Sequence, residues 1–119
     1  MPNWCYGRLT FKANNKEIKE FKTLWESHSV LNDLEITYES GNKIKYEFRT
    51  RYDPYVQLIV LMAEMFPKAS LDYDYDSIES YYFGHFVVEK GVVIKDEFKE
   101  YGAEIYGQEK NKKEDQNGI

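Results

Sequence analysis

The sequence has one cysteine, Cys5, and two histidines, so neither an internal disulfide nor a thiolate zinc cluster can form. Its longest apolar run, Leu58 to Ala63, is far too short to span a bilayer. Glycine-rich phosphate loops and the common hydrolase motifs are also missing from it. We therefore expect no metal, no cofactor, no membrane association and no enzymatic activity.

Basic residues are also fewer than acidic ones. The 119 residues include 16 Lys and Arg against 21 Asp and Glu, which gives a formal net charge of −5. Such a balance disfavours a protein whose affinity comes from neutralising phosphates, although a local basic stripe is compatible with it. The opening residues MPNWCYG have neither the basic nor the apolar region of a signal peptide. A cytoplasmic protein is the expectation.

Aromatic residues, in contrast, make up 17% of the chain, and the most apolar segment is Asp53–Pro67. Asp53 is a suitable helix cap, Pro54 suits the first helical position, and Pro67 ends the helix. A helix as apolar as this needs cover on more than one side. One of its two apolar faces is expected to be left for the C-terminal segment or a partner, and it consists of Leu58, Leu61, Met62 and Met65.

Alternation of apolar and polar residues predicts the strands. They are expected at Trp4–Ala13, Leu34–Glu39, Lys43–Tyr52, Leu71–Asp76 and Tyr81–Glu89, with a short sixth at Val92–Ile94. A stripe of apolar residues predicts a first helix, capped by Asn14, whose members are Ile18, Phe21, Leu24 and Trp25. A further short helix is expected within Asp96–Tyr106.

This order predicts an α+β fold of the ferredoxin-like, split β-α-β-β-α-β kind. Two helices would lie on one face of an antiparallel sheet, followed by a C-terminal β-hairpin. Residues 1–106 would form this single domain. Residues 107–119 have almost no apolar content and are expected to be a disordered, flexible tail.

Three stretches carry a resemblance to a known family. The opening MPNWCYGRLTF is similar to the MPNWC-x-N-x-L start of the YubB-like proteins, ferredoxin-like proteins found on phages and plasmids. FRTRYDPYVQLIVLMAEMFP (Phe48–Pro67) and YYFGHFVVEKG (Tyr81–Gly91) resemble later parts of that pattern. The resemblance implies the ferredoxin-like fold and a mobile-element origin, and it implies no activity and no catalytic residues.

An acidic, tyrosine-rich segment is the first candidate site. One interpretation is a solvated strand face whose charges prevent edge pairing. The other is a surface for a basic protein partner, because carboxylates steer association and tyrosine supplies rigid contact area. Calcium binding is a weak third, since a strand holds its carboxylates in a straight row. The candidate residues are Asp72, Tyr73, Asp74, Tyr75, Asp76, Glu79, Tyr81 and Tyr82.

The open sheet face is the second candidate site, because RNA-recognition domains bind single strands there by stacking bases on aromatic residues. Residues of the first and third strands would share this face if the two strands are neighbours. The nucleic-acid-binding candidates are Trp4, Tyr6, Arg8, Arg49 and Arg51.

Evidence for catalysis is thin. His85 lies beside Gly84 in a predicted strand, and Cys5 is expected to be a small buried hydrophobe. Removal of Met1 would make Pro2 an N-terminal secondary amine, a possible base, but the sequence identifies no arginine to pair with it.

Three functions therefore stay open. The leading hypothesis is a small non-catalytic phage or mobile-element protein that binds a host protein, for example as an anti-CRISPR-like inhibitor of a host defence system. The alternatives are a single-stranded nucleic-acid-binding protein and a self-associating structural protein. The chain would be a monomer or a homodimer.

Overall fold

The computed structural model describes residues 3–100, so the predicted tail, residues 101–106, Met1 and Pro2 lie outside the described part. Its elements are β1 (Trp4–Lys12), α1 (Asn15–Trp25), β2 (Asn32–Glu39), β3 (Lys43–Arg51), α2 (Val56–Met65), β4 (Ser70–Ser77), β5 (Tyr82–Glu89) and β6 (Val92–Lys99). The alternating segments of the sequence are strands, as their period of two residues predicts.

All six strands belong to one antiparallel sheet with the order β2-β3-β1-β4-β5-β6. The prediction of a two-helix ferredoxin-like split β-α-β-β-α-β fold is therefore wrong: the described chain is mostly sheet, and its two helices accompany six strands. β5 and β6 are no separate hairpin, because β5 pairs with β4 along its whole length.

The C-terminal part of the sheet explains much of this error. A short strand ending at Ile94 and a helix from Asp96 were expected, but β6 runs through both as an eight-residue strand. Its register slips between Val87 and Val88 of β5, which places an extra residue in β6 and disturbs the alternation of its side chains. The remainder of the predicted helix lies outside the described residues.

Both helices contribute to a single core on one face of the sheet. Phe11 of β1 stacks on Phe21 of α1 with 3.9 Å between ring centroids, and Phe66, just after α2, meets it edge-on at 5.4 Å. The inward residues of the sheet that join this core are Cys5, Leu9, Ile44, Tyr46, Phe48, Leu71, Tyr73, Tyr75, Tyr82, Phe86 and Val88. This packing leaves the polar residues of the same strands on the opposite face.

The two helices begin in different ways. The predicted cap of α1 is confirmed, because the Asn14 side chain accepts a hydrogen bond from the Glu17 amide at 2.8 Å. The predicted start of α2 at Pro54 is wrong. Asp53 instead accepts from the Tyr55 amide at 2.6 Å, and Tyr55 has a left-handed backbone with φ of 56°, so the helix starts only at Val56.

Candidate interaction surface

The sheet face opposite the core, which we call the open face, carries the polar residues of the central strands. Within residues 3–100 neither helix packs against it, because both contribute to the core on the other side. Side chains that lie directly opposite one another form rows across the strands. One row is Arg49, Tyr6, Asp76 and Phe83, and the next is Glu47, Arg8, Asp74 and His85.

An aromatic residue in contact with two cations lies at one end of this face. The Arg49 guanidinium lies 4.0 Å from the centroid of a Trp4 ring, and that of Arg51 lies 5.4 Å from it. Arg49 also forms an ion pair with Asp33. The structure thus brings together the five predicted nucleic-acid-binding residues on adjacent strands, since Tyr6 pairs with Arg49 and Arg8 follows two residues later on β1.

The predicted aspartates line the neighbouring strand on the same face. Arg8 binds two of them, with distances of 3.2 Å to Asp74 and 2.6 Å to Asp76. Burial acts to lower the pKa of Arg8, but its hydrogen bonds to both carboxylates outweigh this and raise it. Asp72 contacts His85 at 2.7 Å. The acidic row is therefore partly compensated by Arg8 and is not a bare acidic stripe.

Most of the predicted tyrosines do not share that face. Tyr73, Tyr75 and Tyr82 are buried in the core on the opposite side, because side chains alternate along a strand. The Tyr73 hydroxyl donates to the Pro54 carbonyl at 2.6 Å, which holds the segment before α2 against the sheet. Of the aromatic residues in the predicted protein-binding set, only Tyr81 is exposed.

A second group of residues lies at the end of the sheet where β1 begins. We call Trp4, Arg51, Tyr52, Ile78 and Tyr81 the tyrosine end. Tyr52 is 63% exposed, Ile78 66% and Tyr81 57%. Glu79 lies beside them in the β4–β5 turn and is exposed as well.

Hydrogen bonds to backbone carbonyls hold the loops of the tyrosine end together. The Tyr52 amide donates to the Asn3 carbonyl at 2.8 Å, and the Ser77 hydroxyl donates to the Trp4 carbonyl at 2.8 Å. The Tyr82 hydroxyl reaches the Tyr52 carbonyl at 3.4 Å. These bonds join the loop after β3, the start of β1 and the β4–β5 turn at one end of the sheet.

Two of the five non-glycine residues of the described chain with positive φ lie at the tyrosine end, the other three being Asp33, Tyr55 and Lys90. Tyr52 and Tyr81 have left-handed backbones, with φ of 65° and 57°, as does Tyr55 just before α2. A bulky residue in this region is uncommon and costs free energy, and such strain is found preferentially at binding sites. Sequence reasoning missed Tyr52 as a site residue, because it was predicted to be the last residue of the third strand. The following Asp-Pro pair signals that the strand has already ended.

The thiol and the possible metal ligands are the remaining candidate groups for chemistry. Cys5 is buried, as predicted, and burial raises the pKa of its thiol. Within residues 3–100 no group of three or more His, Cys, Asp or Glu residues could hold a metal ion. The helices of that part are neither long nor apolar enough to cross a membrane. Pro2 lies outside the described residues.

The predicted self-association face of α2 is split by the fold. Met62 is buried in the core and Leu58 packs partly against it. Leu61 and Met65 are exposed. Two exposed side chains offer only a small apolar surface to a second copy of the chain, so self-association through this helix stays a prediction.

Comparison with known proteins provides a fold relative and no family. No family model matches the chain, and no curated protein does so either. The chain is similar to the crystal structure of a protein called api92 from Yersinia pseudotuberculosis, which is described under the family model DUF1281. The TM-score is 0.51 and the sequence identity 10%, over 70% of this chain and 30% of that one. The likeness concerns the fold alone, and the chain spans less than a third of the relative's length.

Proposed function

We propose that this protein is a non-catalytic binding protein that contacts a protein partner through the tyrosine end and the adjoining open face. The observation that carries the proposal is the contact of Trp4 with two guanidinium groups, at the same end of the sheet as exposed tyrosines with a left-handed backbone.

The residue types support this proposal. Tryptophan, tyrosine and arginine are the residues that most often dominate the energy of protein interfaces, because they bury large areas at a small entropy cost. Arg49 and Arg51 are positioned by Trp4 before any partner arrives. A pre-positioned side chain loses little freedom on binding, which favours affinity.

The charges around this surface favour a basic protein partner. Asp33, Asp74 and Asp76 lie around the aromatic and arginine residues, and the whole chain carries a net charge of −5. Carboxylates at the rim steer a basic surface towards the site and repel a phosphate backbone. A host protein, including a component of a host defence system, stays a prediction, as do the mobile-element origin and the cytoplasmic location.

A tagged pull-down with surface variants tests the proposal. Arg51→Ala and Tyr81→Ala should abolish the capture of a protein from host lysate that survives nuclease treatment. Lys19→Ala on α1 and Tyr38→Ala on β2 remove the same kinds of exposed side chain elsewhere and should keep the capture. Capture that is equal in all four variants would contradict the proposal.

Single-stranded nucleic acid is the second candidate ligand. It is favoured by the position of Trp4 and Tyr6 on a central strand, with Arg8, Arg49 and Arg51 beside them. Bases stack on such aromatic residues, and the arginines would contact phosphates. Binding to an oligonucleotide should then weaken steeply with added salt, and an absence of binding at low salt would exclude this candidate.

A further inference from the structure

Three lysines cluster at the end of the open face that lies farthest from the tyrosine end. Lys12 of β1 lies directly opposite Lys43 of β3, and Lys45 lies opposite Thr10. Like charges placed opposite each other on neighbouring strands destabilise a sheet. Among residues 3–100, the ion pairs that form include none of these three lysines. No ion pair of the described residues therefore offsets this repulsion directly.

The lysines line an open concavity of about 220 Å³. Its wall also contains Thr10 and Ser70, whose hydroxyls can donate hydrogen bonds. Lys43 is fixed by the ring of Tyr38, with its Nζ 5.2 Å from the ring centroid. Three lysines and two hydroxyl-bearing residues thus line one concavity.

Carboxylates limit this site on its other side. Asp72 and Glu89 line the wall formed by β4 and β5, and Asp72 is engaged by His85 at 2.7 Å. An extended polyanion leaving the lysines in that direction would run along these carboxylates and be repelled. A compact anion that stays between the lysines and the hydroxyls avoids them.

We propose that this concavity binds a phosphate group, either free or as the monoester of a small molecule. A phosphate dianion accepts several charge-assisted hydrogen bonds from lysines and would remove the repulsion between Lys12 and Lys43. A water molecule takes roughly 30 Å³ in the liquid, so the space holds a phosphate group with bound waters or a small organic part. The site needs no protein partner and stands independently of the proposed function.

Titration of the labelled full chain with inorganic phosphate, followed by NMR, tests the site. The amide shifts should saturate and centre on Thr10, Lys12, Lys43 and Lys45. Lys12→Ala and Lys43→Ala should each raise the Kd roughly tenfold, the scale of one charge-assisted hydrogen bond. Lys19→Ala on the outer side of α1 removes the same charge and should leave the Kd unchanged.

Two further observations keep the test decisive. In phosphate-free buffer Lys12→Ala should raise the melting temperature, because it removes the repulsion with Lys43, and Lys19→Ala should not. A parallel titration with phosphoserine distinguishes the sources, since tighter binding than inorganic phosphate identifies a monoester and weaker binding identifies free phosphate. Shifts that never saturate, or that respond equally to all three substitutions, would overturn the proposal. Tighter binding of an oligonucleotide at these lysines would also overturn it.

Discussion

Two glycines allow aromatic rings to lie flat on the core side of the sheet. Tyr75 of β4 pairs with Gly7 on one side and with Gly84 on the other. A Cβ added at Gly84 would overlap the Tyr75 ring, and one at Gly7 would lie 2.7 Å from the Phe48 ring. These contacts explain why glycine occurs in strands, where it is otherwise unfavourable. The aromatic residues of this chain thus depend on particular small neighbours.

Replacement of Gly84 by alanine should destabilise the protein. The added methyl group forces the Tyr75 ring out of its place, and overpacking of this kind costs about 1–3 kcal/mol. Gly41→Ala is the matched control, because nothing lies within 4 Å of its added Cβ. Denaturant unfolding measures both. Equal stability of the two variants would contradict the account, whereas a smaller cost of Gly84→Ala in a Tyr75→Leu background would support it.

At the scale of elements, the turn between β3 and α2 stores strain in Tyr52. A left-handed backbone costs an L-residue about 1–2 kcal/mol, a cost from which glycine is free. Tyr52→Gly should therefore keep or raise the free energy of unfolding, by up to about 1 kcal/mol, although it removes an exposed aromatic ring. In the proposed function the same variant should bind the partner more weakly.

An exposed tyrosine inside a strand provides the control. Tyr38 of β2 does not have a left-handed backbone, so Tyr38→Gly should lower the free energy of unfolding by about 1 kcal/mol. Thermal unfolding of both variants shows whether each substitution raises or lowers the stability. A loss of stability in Tyr52→Gly as large as in Tyr38→Gly would show that the turn stores no strain.

Local patterns predicted several elements but not their assembly. The alternation in β1 and the Asn14 cap of α1 were readable because each depends on neighbours in the sequence. The start of α2 was not, because the Pro54 carbonyl accepts a hydrogen bond from Tyr73, a residue far along the chain. The strand β6 was predicted only as far as Ile94, because a bulge disturbs the alternation of its side chains.

The candidate site was predictable only in part, for a related reason. A strand in which Asp and Tyr alternate has two faces, and the sequence does not say which face the helices cover. Tyr73 and Tyr75 were therefore assigned to the surface, whereas they belong to the core. The grouping of Trp4, Arg49 and Arg51 was predicted on the condition that the first and third strands are neighbours. The structure meets this condition, because β1 pairs with β3.

At the scale of the whole molecule, buried tyrosines make the fold sensitive to alkali. Burial is the largest of the causes that raise the pKa of Tyr46, Tyr73 and Tyr82 well above the ordinary value. It also raises the pKa of Tyr75 to about 12. The folded state therefore holds these protons more tightly than the unfolded chain, whose tyrosines ionise near pH 10.0.

The contribution of these tyrosines to the free energy of unfolding should accordingly be constant below the unfolded pKa and fall as the pH rises from about 10 towards 12. Tyrosinate absorbance should appear together with the loss of structure measured by circular dichroism. Tyr75→Phe should reduce the dependence on pH, whereas Tyr38→Phe on the exposed strand β2 should not. Full tyrosine ionisation in a chain that stays folded would contradict the burial described here.

Photocrosslinking from one position tests the central claim most directly. The photoreactive residue p-benzoylphenylalanine replaces Tyr81 in one sample and Glu20, on the outer side of α1, in another. After irradiation in nuclease-treated host lysate, the account predicts a discrete protein adduct from position 81 and none from position 20. An adduct from position 20 alone, or the same adducts from both positions, would contradict the assignment of the tyrosine end as the binding surface.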